Sequence, residues 1–590
     1  MLIIRFSKNL GILSVTIFST PFLAVQMRSM ACGRLVSEIH FVCCMVGPSC
    51  QESSCQGGYR FSPDLPSGGK ILAVNGHPIE RQPNQWQTAA LLLAMLVPVL
   101  LSLNLLADLP FHHDEALYAR WAWLIASGQN VWLAETPIDK PPLFLYTLAA
   151  ALRLLGPSET AARLPSLLAT MATVGLTFRL GRRLYGPDVG LLAAWLTALS
   201  PFTVMFAPTA LTDPLLTALV LAGCAAAVEG RLGRAGVWLG LAAATKQQGL
   251  LFAPLPLALA AAVYLPRMTP RQTGWGAVRY TAGLAAVQAA ALAWDAARHQ
   301  SPGYWQLSAI NYGGLSLETG AVGERLHDFL ALLGYAAGSP VLVWLFAAGL
   351  PVLVGGAGWR YFRARGRPGD QGETRLGDPI GSPLLVLYAA GFLLGHAVFS
   401  FQVWDRYLLG LVPLLALLLA RLLFLPWEAV QASGVLAGPE RRRMGYAVYV
   451  VGLSLFLAWT MARPVQDAFY GRYPLGSHSQ ALRGIEQTVA FLQAHYGANT
   501  TLFHRWLGTH WRFYLRDYPY DLQFWESPLD LARRARPGHL IAFPSWQSET
   551  EARLALQARG LTLVEIHRAY NPAGYPSIVL YRIGRLGIGD

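Results

Sequence analysis

TAALLLAMLVPVLLSLNLLADLPFHHDEALYARWAW, residues 88–123, sets an uncharged apolar run directly against an acidic and aromatic stretch. Residues 88–107 hold no Asp, Glu, Lys or Arg. At ~1.5 Å of helical rise per residue, a run of that length crosses a ~30 Å hydrocarbon core. Just past it stand Asp114 and Glu115, which open an amphipathic stretch, Ala116–Ile125, containing Tyr118, Trp121 and Trp123. Those aromatics suit a helix lying at a membrane interface. An acidic pair in this place has two readings. It caps the helix that follows, or it is ionisable chemistry held near membrane depth.

The rest of the chain repeats the first pattern. Of its 590 residues 54% are hydrophobic and 13% charged, about half the charged share of a soluble domain. Apolar runs recur at about 163–180, 188–206, 214–228, 235–247, 249–265, 278–294, 329–356, 383–403, 406–425 and 445–462. With 88–107 they predict a polytopic α-helical membrane protein of about 11 transmembrane helices. The run at 141–155 is short for a span and reads as interfacial or re-entrant. Left out of the count, it places the arginine loops (Arg179/Arg182/Arg183, Arg231/Arg234, Arg267/Arg271/Arg279, Arg360/Arg363/Arg365/Arg367, Arg441/Arg442/Arg443) on one side. By the positive-inside rule that side is the cytoplasm. The net charge of +13 therefore reflects topology, and nucleic acid is not the expected partner.

The two ends differ from the middle. Residues 1–85 combine a basic start, an apolar stretch Leu10–Val25 and a Gly/Ser/Pro-rich segment bearing Cys32, Cys43, Cys44, Cys50 and Cys55. The stretch reads as a signal or spare anchor, and the cysteine spacing matches no zinc signature. This part is expected to be a poorly structured extension, or the product of a start codon assigned too early. Residues 86–462 form the membrane domain. Residues 463–590 alternate amphipathic stretches (Gln480–His495, Ser548–Arg559) with short β-rich runs (Thr501–Phe503, Leu540–Phe543, Leu561–Ile566, Ser577–Tyr581), which predicts a small α/β domain, outside by the same parity. Neither GxxxxGK[ST] nor GxGxxG after a strand occurs in it, so no nucleotide cofactor is expected.

Parity gives the acidic pair company on the outer side: Asp139 and Lys140 in IDKPPL, Asp213 in TALTDPLL, Lys246 in TKQQG, the 295–327 loop, and Asp405-Arg406. Each has an ordinary explanation alone: a proline-started helix with a snorkelling lysine, an N-cap, or a loop lysine. Their gathering on one face, with no internal helix repeat, argues against the rival reading of a secondary transporter, whose charges lie nearer the midplane.

In their order, HHDEALYA, IDKPPLFLY, ETAARLPSLL, GRRLYG, ALTDPLL, TKQQG and WDRYLL resemble the GT-C superfamily of polyprenyl-phosphate-sugar-dependent glycosyltransferases, over about residues 88–425. The branch is similar to the protein O-mannosyltransferases and lipid A aminoarabinose transferases. The latter carry Glu-Lys-Pro where this chain has Asp139-Lys140-Pro141, which conserves charge. The resemblance implies the GT-C fold with interfacial helices in the first outer loop, and an active site on the extracytoplasmic face of the plasma or inner membrane. It implies transfer of a sugar from a polyprenyl-phosphate donor to an acceptor hydroxyl on protein, lipid or envelope glycan, with inversion. Carried over residue by residue, Asp114 is the general base and Glu115 its support, hydrogen-bonding to acceptor or sugar. Lys140, Lys246 and Arg406 meet the phosphate, with Arg163 of ETAARLPSLL a further candidate, and Asp139 stands with Lys140. Asp213 binds sugar, acceptor or a divalent ion. Metal dependence stays open, with Asp114, Asp139, Asp213 and His112 or His113 as the ligand types present. In the 295–327 loop, His299, Tyr304, Trp305, Asn311, Tyr312 and Glu318 suit either sugar stacking or an aromatic belt.

Overall fold

Residues 2–6, 13–17, 84–107, 109–264, 269–313, 316–365, 378–472 and 482–587 are described in the computed structural model of the chain. They fall into two units, Met1–Glu80 and Arg81–Asp590. In the first, β1 (Leu2–Phe6) and β2 (Leu13–Ile17) pair antiparallel, with Leu2 opposite Ile17 and Phe6 opposite Leu13. Of the stretch Leu10–Val25, read above as a signal or anchor, Leu13–Ile17 is therefore strand. Its other residues and the five N-terminal cysteines lie outside the described residues.

The second unit is helical from Gln85 to Phe469. α1 (Gln85–Ala107) leads through a short loop to α2 (His113–Ala126), then to α3 (Pro142–Leu155) and α4 (Glu159–Leu184). α5 (Pro187–Leu199) and α6 (Pro201–Phe206) share one apolar run, broken at Ser200 because Pro201 brings no N–H to continue the ladder. α7 (Thr212–Val228) and α8 (Leu232–Thr245) follow, then a 3₁₀ segment, Gln247–Phe252, and α9 (Pro254–Tyr264). α10 (Pro270–Ala297), α11 (Tyr304–Tyr312), α12 (Val322–Ala337), α13 (Pro340–Arg365) and α14 (Asp378–Val398) come next. A second 3₁₀ segment, Asp405–Leu411, runs into α15 (Val412–Ala432), and α16 (Pro439–Phe469) completes the series.

Among the described residues five helices are long and apolar enough to cross a bilayer: Gln85–Leu106, Glu159–Leu184, Gly381–Val398, Asp405–Ala432 and Pro439–Phe469. Thr319–Ala337 and Pro340–Gly356 make a sixth if counted as one span bent by 114°. The sequence layout of about 11 spans counts more because it counts apolar runs. Pro142–Leu155, Pro187–Leu199, Thr212–Val228 and Gln247–Val263 are apolar helices of less than spanning length. The polar residues of interest sit at the ends of these short helices and at the breaks between them. The chain is an integral membrane protein.

Close approach of α8 and α10 fixes one of those ends. A Cβ on Gly236 would lie 1.9 Å from the carbonyl oxygen of Tyr280, so the two backbones touch as small-residue membrane interfaces do. The Tyr280 hydroxyl donates to the carbonyl of Ala253 at 2.7 Å, tying α10 to the start of α9. Lys246, between α8 and that segment, is thereby held from both sides.

Residues 482–587 build a five-stranded sheet in the order β4-β3-β5-β7-β6. β3 (Thr501–His504), β4 (Asp521–Phe524) and β5 (Leu540–Pro544) run parallel; β6 (Leu561–Tyr570) and β7 (Pro576–Arg585) close the sheet as an antiparallel hairpin beside β5. Side-chain alternation feeds two cores. Leu502, Leu540 and Ala542 meet Trp511 of α18 (Gly508–Tyr514) and Leu492 of α17 (Ile485–His495). Phe503, Ile541 and Phe543 meet Leu531 of α19 (Pro528–Arg534) and Leu556 of α20 (Thr550–Gln557). α18 also faces the membrane helices: Phe513 is buried in their core.

Candidate active site

The two acids of the HHDE stretch part company. His112 is the N-cap of α2, its Nδ1 accepting from the Asp114 N–H, and the Glu115 carboxylate accepts the His112 N–H at 2.8 Å, a reciprocal cap. Glu115 also accepts the Ala210 N–H at 2.7 Å and two guanidinium N–H groups of Arg163 at 3.2 Å each. Arg163 spends its other donors on the carbonyls of Leu106, Leu109 and Pro110. Both are almost wholly buried, at 3% and 2% exposure. Sequence reasoning placed Glu115 and Arg163 in contact with substrate. The structure sets them behind the wall, as a node joining the α1–α2 loop, α4 and the start of α7. An arginine buried beside one carboxylate and three carbonyls is paired internally, so it has no donor to offer a phosphate.

Asp114 points the other way. Its Oδ2 accepts from Arg406 Nη1 at 2.5 Å. Two more pairs stand nearby: Asp213 Oδ1 with Lys246 Nζ at 2.5 Å, and Asp139 Oδ2 with Lys140 Nζ at 3.1 Å. Asn311 holds the same Asp139 oxygen at 3.0 Å, and Gln247 donates to the Asp139 carbonyl at 2.8 Å. Lys140 also donates to the Tyr312 hydroxyl at 2.8 Å, and Lys246 lies 4.3 Å from the centre of the Tyr407 ring. Six of the eight residues singled out in the sequence thus meet as three carboxylate–cation pairs.

The cations Lys140, Lys246 and Arg406 line a cavity of about 410 Å3. Gln247, Gln248, Tyr118, Tyr312, Tyr407, Trp305 and His396 share the wall, and Leu250, Leu251 and Phe401 add apolar surface. Among the described residues, Asp139 Oδ1, Gln248 Oε1 and Arg406 Nε are buried without a hydrogen-bond partner. Unsatisfied buried polar atoms of both kinds around one cavity suit an occupant with polar groups of its own. Burial pushes the Asp114 carboxyl up, but the charge and hydrogen bond of Arg406 outweigh it and hold the group below its ordinary value. Burial lowers the Lys140 ammonium despite Asp139, and lowers the His112 imidazole as well.

The residues do not fit a divalent cation. Each candidate carboxylate has its own ammonium or guanidinium, and among the described residues no three His, Cys, Asp or Glu side chains converge. In the 295–327 loop, Trp305 and Tyr312 reach the cavity and Asn311 orients Asp139; Glu318 pairs instead with Arg325, and His299 is exposed.

Three contributors escaped sequence reasoning. His396 in α14 accepts from the Gln248 amide nitrogen at 3.2 Å through its Nε2, and its signal was a lone imidazole inside an apolar run. His510 and Tyr514 of α18 grip Phe111: the Tyr514 hydroxyl accepts the Phe111 N–H at 3.0 Å, and His510 Nε2 donates to the Phe111 carbonyl at 3.0 Å. With Arg163 on the preceding carbonyls, the chain leading into Asp114 is clamped from both sides. Nothing local in the sequence marks that contact, about 400 residues apart.

Residues 139–294 match the sequence model of the family described as dolichyl-phosphate-mannose-protein mannosyltransferase. No curated protein matches the chain. Among solved structures, ArnT from Cupriavidus metallidurans in the apo state is similar with a TM-score of 0.57 at 17% identity, over 84% of this chain and 97% of that one. The same ArnT bound to undecaprenyl phosphate gives 0.55 at 15%, over 84% and 98%. The apo oligosaccharyltransferase of Archaeoglobus fulgidus gives 0.51 at 11%, over 84% and 74%. The chain therefore has the fold of ArnT and of that oligosaccharyltransferase over most of its length.

Proposed function

We propose that the chain is a membrane glycosyltransferase that moves a sugar from a polyprenyl-phosphate donor to an acceptor hydroxyl, on the extracytoplasmic face. The observation that carries this is the cavity walled by Lys140, Lys246 and Arg406, with Asp114 on Arg406 at its edge. Such a wall suits the phosphodiester anion of the donor and the phosphate monoester that leaves, and the apolar lining residues suit the first isoprene units. ArnT bound to undecaprenyl phosphate supports the donor class.

In the proposed reaction, donor phosphate oxygens draw on Arg406, Lys140 and Lys246, which loosens Asp114 from Arg406. Asp114 accepts the proton of the acceptor hydroxyl as its oxygen attacks the anomeric carbon. The bond from that carbon to the phosphate oxygen breaks, and the electron pair leaves on polyprenyl phosphate, stabilised by the three cations. Attack opposite the leaving group inverts the centre. Asp213 and Asp139 hold Lys246 and Lys140 in place. Glu115 and Arg163 position the α2 start and touch no reactant.

The test is turnover of purified protein with lipid-linked sugars extracted from its own host, followed by mass spectrometry. Asp114→Asn is expected to lose about 10²- to 10⁴-fold in rate while inserting and folding normally. Turnover at the wild-type rate by that variant would overturn the assignment of the base.

A further inference from the structure

The five-stranded sheet has a point where its chain direction changes. Crossovers from β3 through α18 to β4, and from β4 through α19 to β5, pack on opposite faces of the sheet, as the two separate cores show. Chain direction therefore diverges between β3 and β5, which are adjacent and parallel. In open sheets of this kind, a crevice opens beyond the carboxyl ends of the strands at such a point.

All three parallel strands leave the sheet into a tryptophan: HRW at 504–506, FW at 524–525, and PSW at 544–546. Trp525 is buried, with Arg505 stacked 5.1 Å from its ring centre. Trp506 and Trp546, the two that flank the divergence, are 51% and 50% exposed. Large indoles left half in water at a strand-end crevice are not accounted for by the fold. Polar groups accompany them. His504 is 2% exposed, and among the described residues neither of its imidazole nitrogens has a hydrogen-bond partner; Gln547 Oε1 is likewise buried and unsatisfied. His504 packs on Gly508, where a Cβ would come within 2.6 Å of its ring.

We infer that this crevice binds carbohydrate, as a subsite for a sugar-bearing acceptor. Sugar rings present flat C–H faces that stack on indoles, and rims of hydroxyls that both donate and accept. A neutral imidazole offers one donor and one acceptor, and the Gln547 oxygen a further acceptor. The position fits as well. From His504 the chain passes through Gly508 into α18, whose His510 and Tyr514 hold Phe111, three residues before Asp114. Trp506 lies two residues before α18, so a glycan resting on it adjoins the element that grips the loop leading into Asp114. The inference rests on the proposed glycosyl transfer for its meaning, yet binding is measurable without turnover.

Full-length protein in a non-glycosidic detergent is applied to an array of bacterial envelope glycans, and retained glycans are titrated in solution. Wild type and Asp114→Asn are expected to retain the same glycans with the same affinity. The pair Trp506→Ala and Trp546→Ala is expected to weaken binding about tenfold or more, and Trp506→Phe with Trp546→Phe to recover part of it. Unchanged thermal unfolding in the aromatic variant separates lost contact from lost fold. Failure of the wild type to retain any glycan, or binding indifferent to both alanine substitutions, overturns the inference. Retention of unglycosylated polypeptide in place of glycan on the same tryptophans overturns it too. Wild-type turnover by Asp114→Asn would sink the base assignment and leave the glycan result standing.

Discussion

Asp114 and Glu115 are neighbours in sequence with opposite surroundings, and each surrounding predicts its own behaviour. Arg406 holds the Asp114 carboxyl below its ordinary value against the opposing effect of burial. As the proposed base, Asp114 works ionised, so activity is expected to disappear as pH falls through its pKa. In kcat/KM, which reports the free enzyme, the acid limb should therefore lie below about 3.9. Arg406→Gln removes the charge and leaves burial unopposed, so the limb should move to higher pH while the rate drops about 10²-fold. A limb that stays in place would show that Arg406 does not set the Asp114 charge. Glu115 predicts a stability defect instead. Glu115→Gln strands the buried Arg163 charge, a loss of about 3–5 kcal/mol by the usual cost of breaking a buried pair. Thermal unfolding should register it, whereas Arg163→Met with Glu115→Gln should recover part of the loss. The sequence could name both acids but could not divide their roles. The division depends on Ala210, Arg163 and Arg406, which reach the pair from 48 to 292 residues away.

At the scale of elements, α18 is the one that joins the sheet to the site. Its His510 is buried, and burial with the neighbouring His113 and His112 pushes it down to about 3, only partly countered by its bond to the Phe111 carbonyl. An unfolded or undocked histidine titrates near 6.5. A depressed folded pKa means that the docked state is fully favoured above about 6.5 and loses ground as pH falls from there toward 3. Protection of the Phe111 amide against hydrogen exchange, taken relative to the intrinsic rate at each pH, should accordingly fall below about pH 6. His510→Phe should flatten that dependence. Tyr514→Phe should lower kcat about tenfold with little change in KM, since it frees the loop without touching substrate. Equal falls in kcat and stability would instead mark Tyr514 as structural only. Much of the element pattern was legible. Apolar runs mark nearly every membrane helix, and four of the five strands of the sheet fall on the β-rich runs. β4, whose DLQF alternates poorly, and the short helices α18 and α19 were not. At seven residues each, these two helices are too brief for periodicity to declare them.

For the whole molecule the prediction concerns sidedness. Parity of the apolar runs puts Asp213 and the sheet outside and Arg441–Arg443 inside. Cysteines replacing Leu529, exposed on α19, and Arg442 in α16 test this directly. An impermeant thiol reagent should label the first in intact cells and the second only after lysis; the reverse order would invert the proposed face of the active site. Sequence gave membrane class and the members of the polar cluster, but not their pairing, because partners come from five separate breaks in the helical array. That pairing has a consequence for traffic through the site. Three carboxylates match three cations, so these six groups together carry no surplus charge. On the proposed reading, an incoming donor phosphate is exchanged for the Asp114 carboxylate on Arg406 and is not pulled in by a standing field. Donor affinity should then vary little with ionic strength. Once the acceptor proton has left Asp114, its carboxylate closes on Arg406 again behind the departing carrier, so the site works as an ion exchanger that regenerates itself with each turnover.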